Sequence, residues 1–466
     1  MSEQSPSDGT HPWRPVCSIL DTDLYKLTMQ QAVAHHYPSK RVAYRFTNRS
    51  AAMKFTRKSV AVIQRCIDDL AGLSLDTEEE EWLKRRCPYL KPDYIESLAA
   101  FRFKPKDQVT LTFVPEPSGD AKQEEQAEEL GQIEMDIRGL WKDVILYEVP
   151  LMAIVSEVYF STVDKMWSMR GQRFLAKSKA EQLVSAGIRY SEFGTRRRRS
   201  YLAHKVALQG LMEGSRAGPG ALLGTSNVHF AQLYDLNPIG TVAHEWMMAV
   251  AALHGYEHAN LRAMQLWDEV YSAPHFTPAN PSQDLTIALT DTFSTRVFFS
   301  DLLSNEKGQE IARRWRGLRQ DSGDPAQFVK RTKEVYDQLG VDSTKKVVIF
   351  SDGLDVARCL ELAKTAQDHG VGCGFGIGTS ITNDFACLED QEDPEADDYD
   401  AAPASSEHSL ARSKALNMVI KLREIEGKPC VKISDDLTKN TGDPAEVAAV
   451  KRRFHLDVVQ DAIEDA

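Results

Sequence analysis

Val347-Val348-Ile349-Phe350-Ser351-Asp352-Gly353 reads as a buried strand that runs into a turn. Three β-branched residues and an aromatic suit a covered, pleated surface, and the Ser-Asp-Gly that follows ends the run. The same form recurs at Leu285-Thr286-Ile287-Ala288-Leu289-Thr290-Asp291. From about residue 185 onward, short apolar runs end near Glu192, Gly224, His244, Asp291, Arg319, Asp352 and Gly376. The segments between them are mostly long enough for a loop and a helix. Strands separated by helices predict parallel pairing through crossovers, hence an α/β fold. Polar residues gathered at strand C-terminal ends would line one catalytic face of a barrel. An open doubly wound sheet carries the same punctuation, so the rhythm leaves both architectures standing.

Outward from this core, residues 1–15 read as a flexible tail. Ser18 to Tyr37 reads as a short lead and a helix, with Asp21 or Asp23 as its cap and Leu24, Leu27, Met29 and Val33 near helical spacing. Val42 to Phe46 alternates as a strand. Helices are expected over 58–72, 77–86 and 92–98, a strand over 108–114 and a polar loop over 115–130. On the far side, 389–410 is acidic and nearly free of large apolar residues, which predicts a solvated, disordered insertion. Asn417–Leu422 and Pro429–Ile433, separated by Glu426-Gly427, predict a β-hairpin ahead of a charged C-terminal segment.

The 466 residues predict two to three domains. With 42% hydrophobic and 27% charged residues, a collagen, a rod and a wholly disordered chain are excluded. The net charge of −12 argues against diffuse binding to nucleic acid or to an anionic membrane. Seven scattered cysteines without a CxxC pair predict a reducing compartment, with neither a disulfide framework nor a zinc site. No secretory leader is visible, and the longest apolar run, Val144 to Phe160, is interrupted by Glu148, Pro150 and Glu157. A soluble intracellular protein is expected.

Several turns carry chemistry. Gly374-Phe375-Gly376-Ile377-Gly378-Thr379-Ser380 could let backbone N–H groups approach a phosphate, or be a plain glycine turn. Asp352 and Asp291 at strand ends could hold ribose hydroxyls or Mg²⁺, and Gly353 could offer its N–H; an N-cap role for Asp352 is as common. Arg319 and Asp321 in Gly317–Pro325 suit an anion and sugar hydroxyls, or an internal ion pair. Ser191–Arg199 sets four arginines at a helix start; one or two could reach a ligand while the rest stay solvated. His244 beside Glu245 could be a base, a metal ligand or a phosphoryl acceptor, or simply a satisfied core histidine. His254 and His258 have helical spacing but no third ligand, and are read as structural.

Together these segments resemble the nicotinate phosphoribosyltransferases, in their eukaryotic form. The residues that carry the resemblance are Asp21–Met29, Ser191–Arg199, Gly224–Asn227, Gly240–Trp246, Ala288–Thr292, Arg319–Pro325, Phe375–Asp384 and Val431–Pro444. The resemblance implies a type II phosphoribosyltransferase fold. An N-terminal mixed α/β domain over 16–150 would be joined by a C-terminal hairpin and helix over 411–466, around an irregular β/α barrel over 151–388. It implies a homodimer with a shared active site, Mg²⁺, ATP as co-substrate and a cytoplasmic or nuclear setting. Nicotinate would join phosphoribosyl pyrophosphate to give nicotinate mononucleotide and pyrophosphate, coupled to ATP through a phosphohistidine, as the salvage entry to NAD.

By the same resemblance, Phe193 and the partner subunit's Tyr25 would sandwich the pyridine ring. Arg319 and Ser226 would address its carboxylate, because a hydroxyl tolerates a carboxylate where an aspartate would repel it. Asp321 would hold ribose hydroxyls, and Gly353, Gly376, Gly378 and Thr379 the 5′-phosphate, with Arg196 and Asp352 nearby. His244 would be phosphorylated, with Asp291 and Glu245 orienting it or binding Mg²⁺. A nicotinamide or quinolinate enzyme, or a non-catalytic nucleotide-binding protein on the same fold, are the rival readings.

Overall fold

The structure is a computed structural model and describes residues 14–116, 129–271, 285–388, 398–400, 411–436 and 439–456. The predicted tail (apart from its last two residues), the middle of the 115–130 loop and most of the acidic insertion lie outside the described residues. Two six-stranded sheets organise the rest.

One sheet is wholly parallel, with strands in the order Ala221–Thr225, Arg189–Glu192, Gly372–Ile377, Val347–Phe350, Gly317–Gln320 and Ile287–Leu289. The strand that opened the sequence reading lies between two others, pairing Val347 with both Gly317 and Gly372. Val348 and Phe350 are fully buried there, as a covered parallel strand requires. Among the described residues no backbone ladder joins the two outermost strands.

The second sheet is antiparallel, running from Lys428–Pro429 through Met418–Ile425, Arg41–Asn48 and Leu130–Leu140 to Phe55–Thr56, with Val109–Pro115 also on Leu130–Leu140. Leu130–Leu140 alternates buried and more open residues, the signature of a sheet with one covered face. The strand Met418–Ile425 thus pairs with Arg41–Asn48 of the N-terminal part of the chain. The expected helices form at Arg57–Asp69 with a 3₁₀ turn to Gly72, at Thr77–Arg86 and at Pro92–Ala100. The apolar stretch Trp141–Thr162 matches a membrane span in length, but its window is 94% buried and fills the core.

Four expectations are corrected. The first helix, Leu24–His36, has Asp23 at its N-cap without a side-chain cap, and Asp21 is taken by Arg198 instead. The hairpin's second arm is only Lys428–Pro429; the chain then leaves the sheet, and Ile433 N–H bonds Thr292 C=O at 2.8 Å beside the parallel sheet. The helix Pro444–Arg453 rests on the parallel-sheet side rather than on the N-terminal domain, with Tyr256 OH donating to Glu446 and Arg296 to Phe454 C=O. Within the acidic insertion, residues 398–400 are docked: Gly171 and Arg173 N–H groups bond the carbonyls of Asp398 and Tyr399, and Arg173 pairs with Asp400.

Candidate active site

A cavity of about 840 Å³ opens where the C-terminal ends of the parallel strands face the strand Met418–Ile425 of the other sheet. Each parallel strand brings its punctuation to the rim. Phe193 and Arg196 follow Arg189–Glu192, Asp291 follows Ile287–Leu289, and Asp321 follows Gly317–Gln320, which itself carries Arg319. Ser351, Asp352 and Gly353 follow Val347–Phe350, and Gly378 and Thr379 follow Gly372–Ile377. His244 begins the helix His244–His254.

His244 is the centre of a charged cluster. Its Nε2 lies 2.8 Å from Lys432 Nζ, 3.2 Å from Asp321 Oδ2 and 3.7 Å from Asp291 Oδ1. Its Nδ1 is 3.0 Å from Thr292 Oγ1. An ammonium only donates, so Nε2 accepts from Lys432 and the ring proton sits on Nδ1, directed at Thr292. Burial and the Lys432 charge push His244 down to about 4, so the ring is neutral at neutral pH. Asp321 Oδ1 accepts from Arg319 Nη2 at 2.9 Å and Ser351 Oγ at 2.6 Å. Burial alone would raise Asp321, but the Arg319 and Lys432 charges hold it well below the usual carboxylate range. Arg319 also donates Nε to Ser351 and Nη1 to Thr241. Asp291 Oδ2 pairs with Lys432 at 3.0 Å and accepts from Ser322 at 2.6 Å, while its buried Oδ1 has no hydrogen-bond partner.

Beside this cluster stands an aromatic wall. A Cβ on Gly376 would lie 2.4 Å from the Phe193 ring, so this glycine seats the ring. Tyr25 lines the same cavity, with the Arg196 guanidinium 5.9 Å from its ring centroid. Arg196 is in turn held by Glu148 at 3.5 Å and Asp23 at 3.7 Å.

The family model for the nicotinate phosphoribosyltransferase (NAPRTase) family matches residues 188–396 and 399–458, and that for its N-terminal domain matches 20–156. The chain belongs to the nicotinate phosphoribosyltransferase family. A Schizosaccharomyces pombe protein, whose name reads probable nicotinate phosphoribosyltransferase, is 41% identical over 95% of this chain and 98% of its own. The Saccharomyces cerevisiae nicotinate phosphoribosyltransferase is 38% identical over 94% of each chain. Among solved structures, one from Saccharomyces cerevisiae superposes with a TM-score of 0.83 at 36% identity, covering 95% of this chain and 99% of that one. The Porphyromonas gingivalis nicotinate phosphoribosyltransferase superposes with 0.77 at 32% identity, covering 94% and 100%.

Within this nicotinate phosphoribosyltransferase fold, the cavity gathers His244, Glu245, Arg319, Asp321, Tyr25, Phe193, Arg196, Asp352, Gly353, Gly376, Gly378 and Thr379. Asp291 stands behind His244, fully buried. Asp352 is at the exposed mouth, paired with Lys439 at 3.2 Å. Gly353 has φ +60, which a left-handed turn residue needs, and a Cβ there would meet open space. Gly378 approaches Phe193 C=O so closely that a Cβ would lie 2.9 Å from it. Gly376 and Gly378 therefore both make room for Phe193.

Tyr25 and Phe193 of one chain both line the cavity. Three site expectations are corrected. Ser226 is 4% exposed and donates to Asp23 at 2.7 Å; it does not line the cavity, and acts on it through Asp23 and Arg196. Both Glu245 oxygens are taken, by Lys26 at 2.6 Å, Tyr44 at 2.5 Å and Trp141 at 2.7 Å, so Glu245 is closed to a metal. The arginines beyond Arg196 and Arg197 are not solvated. Arg198 grips Asp21 bidentately at 2.7 Å, and Arg199 lies 3.6 Å over the Phe160 ring, both fully buried.

Lys432 and Lys421 were not foreseen. Both stand in segments read as a plain hairpin, where a lysine signals only the solvent face. Lys421 lines the cavity, and burial together with Lys432 pushes it down to about 8. His254 bonds Tyr37 and His258 bonds Asp301, which agrees with their structural reading.

Proposed function

We propose that this chain transfers the phosphoribosyl group of phosphoribosyl pyrophosphate to nicotinate, releasing nicotinate mononucleotide and pyrophosphate, as a salvage step toward NAD. The observation that carries this reading is the pairing, in a chain of this family, of an incompletely satisfied ionic cluster with the Phe193–Tyr25 wall in one cavity. A flat heteroaromatic ring suits the wall. Its carboxylate suits Arg319 or Arg196, two of the four arginines that line the cavity. In the transfer the ribosyl C–O bond to pyrophosphate breaks and a C–N bond to the ring nitrogen forms. Positive charge develops on the ribosyl ring, and Asp321 is an anion at neutral pH that can face it. Lys421 and Lys432 are cations suited to the departing pyrophosphate.

Mg²⁺ fits this site. His244, Asp291 and Asp321 offer ligand atoms within 4.8 Å of one another, and Asp291 Oδ1 is a buried carboxylate oxygen without a partner. Asp291 and Asp321 would hold the ion, since Mg²⁺ favours carboxylate oxygens together with substrate phosphates. Bound there, it would neutralise charge on the phosphate oxygens. ATP coupling through His244 is part of the same proposal. A neutral imidazole whose Nε2 lone pair is given up by Lys432 can take the terminal phosphoryl group of ATP, releasing ADP, and water then cleaves the P–N bond to phosphate. Lys432 would offset the added negative charge.

The test is product formation by purified protein with phosphoribosyl pyrophosphate and Mg²⁺, offering nicotinate, nicotinamide and quinolinate separately, each with and without ATP. The proposal expects nicotinate mononucleotide alone, more of it with ATP, and ADP alongside. Preference for either other base, or no product, would overturn it. His244→Ala is expected to lose ATP stimulation and keep weak transfer.

A further inference from the structure

The turn that ends Gly372–Ile377 is tied down from both sides. Thr382 Oγ1 donates to Gly194 C=O, Asn383 Nδ2 to Arg197 C=O and Ser380 Oγ to Leu354 C=O. These bonds link it to its neighbours on the cavity rim. One further contact comes from outside the cavity. Lys179, on the helix Gln172–Ser185, is not part of the cavity lining, and its side chain is 15% exposed. Its ammonium donates to Ser380 C=O and pairs with Asp384 at 2.6 Å. The other Asp384 oxygen holds Arg412 at 2.8 Å. Burial lowers the Lys179 amine while Asp384 opposes that shift. A largely covered ammonium with one carbonyl and one carboxylate as partners fixes both groups more firmly than a neutral donor would.

We propose that Lys179 is a positioning residue for the Gly378–Ser380 turn: it holds Ser380 and Asp384 from behind, so that the cavity face of the turn is preformed for the 5′-phosphate of phosphoribosyl pyrophosphate. This rests on the reaction proposed above. Lys179 touches no reacting atom, so its loss should tax binding of one substrate and leave the chemistry and the other substrate alone.

The test is the Lys179→Met variant, which keeps the aliphatic stem, beside Lys179→Arg, which keeps the charge. In Lys179→Met the KM for phosphoribosyl pyrophosphate should rise about tenfold, with kcat within about threefold and the nicotinate KM unchanged. Lys179→Arg should return that KM to within about threefold of wild type. Where Lys179→Met does not fold, Asp384→Asn serves, with a smaller rise of about threefold in the same KM alone. An unchanged KM in the folded variant overturns the proposal. So does an equal loss through kcat and both KM values, which marks general disruption. Calorimetric binding of phosphoribosyl pyrophosphate separates this from failure of the reaction itself. If no base is turned over but this ligand binds about tenfold more weakly to Lys179→Met, the reaction is wrong and the positioning role stands. Equal binding to both proteins overturns the positioning role whatever the reaction.

Discussion

His244 and Glu245 are neighbours in sequence and at the start of one helix, yet they belong to buried ionic clusters of opposite character. Around Glu245 every strong partner is in place. Lys26 bonds Glu148 at 2.5 Å and Glu245 at 2.6 Å, while Tyr44 and Trp141 fill the remaining Glu245 oxygen. Around His244, Asp291 keeps a buried oxygen with no partner, and in the same cavity the Lys421 ammonium has no hydrogen bond or ion pair among the described residues. Both clusters are charged and covered. What separates a site from a strut is therefore the bonding left open, since an unsatisfied buried group is costly and is kept where something else comes to satisfy it.

The largest effect should fall on the closed cluster. Lys26→Met strands two buried carboxylates, and unfolding in urea should show a loss of about 3–5 kcal/mol. A loss below about 1 kcal/mol would erase the distinction. The open cluster should respond in rate. Asp321→Asn should lower kcat by roughly 10²–10³-fold, about 3–4 kcal/mol in the barrier, with urea stability changed far less. Comparable damage to stability would make Asp321 a strut as well.

A pH titration sharpens the same contrast. His244 is held at about 4 against an ordinary 6.5. Between those values the unfolded chain binds a proton that the folded chain refuses, so stability falls as pH drops through the window. The contribution reaches about 3 kcal/mol near pH 4, and none is expected above pH 7. Subtracting the urea stability of His244→Gln from that of wild type at pH 7.5, 5.5 and 4.5 should isolate this slope. A flat difference would mean that the ring takes up its proton equally in the folded and unfolded chain. The smallest effect is assigned to Ser226. Because it reaches the cavity only through Asp23 and Arg196, Ser226→Ala should cost about 1 kcal/mol of stability and shift the nicotinate KM less than about threefold. A tenfold rise would return Ser226 to the substrate carboxylate.

The parallel sheet was legible because covered strands are short apolar runs, and Val347–Phe350 or Ile287–Leu289 can be little else. Their polar ends were legible as a rim for the same reason: Asp291, Arg319, Asp321 and Gly376 interrupt apolar sequence where a chain must turn. What the sequence hid is contact across long stretches of chain. Lys432 meets His244 over a separation of 188 residues, and Arg198 meets Asp21 over 177. A lysine in a strand and a run of arginines both look solvated until the partner is known. Glu245 misled in the opposite direction, since its position beside His244 said nothing about which way the helix turns it. Ser226 shows a subtler limit, because Asp23 lies between it and the cavity side chain it influences.

The most direct test sets these two neighbours side by side. Nicotinate mononucleotide formation, with and without ATP, and urea midpoints would be measured for His244→Gln and Glu245→Gln at a temperature where both are folded. The account predicts that His244→Gln loses ATP stimulation at a near-native midpoint at neutral pH. It predicts that Glu245→Gln keeps ATP stimulation and kcat within about threefold while its midpoint falls. The reverse pattern, or equal loss of both properties in both variants, would contradict the division between an open, reactive cluster and a closed, structural one.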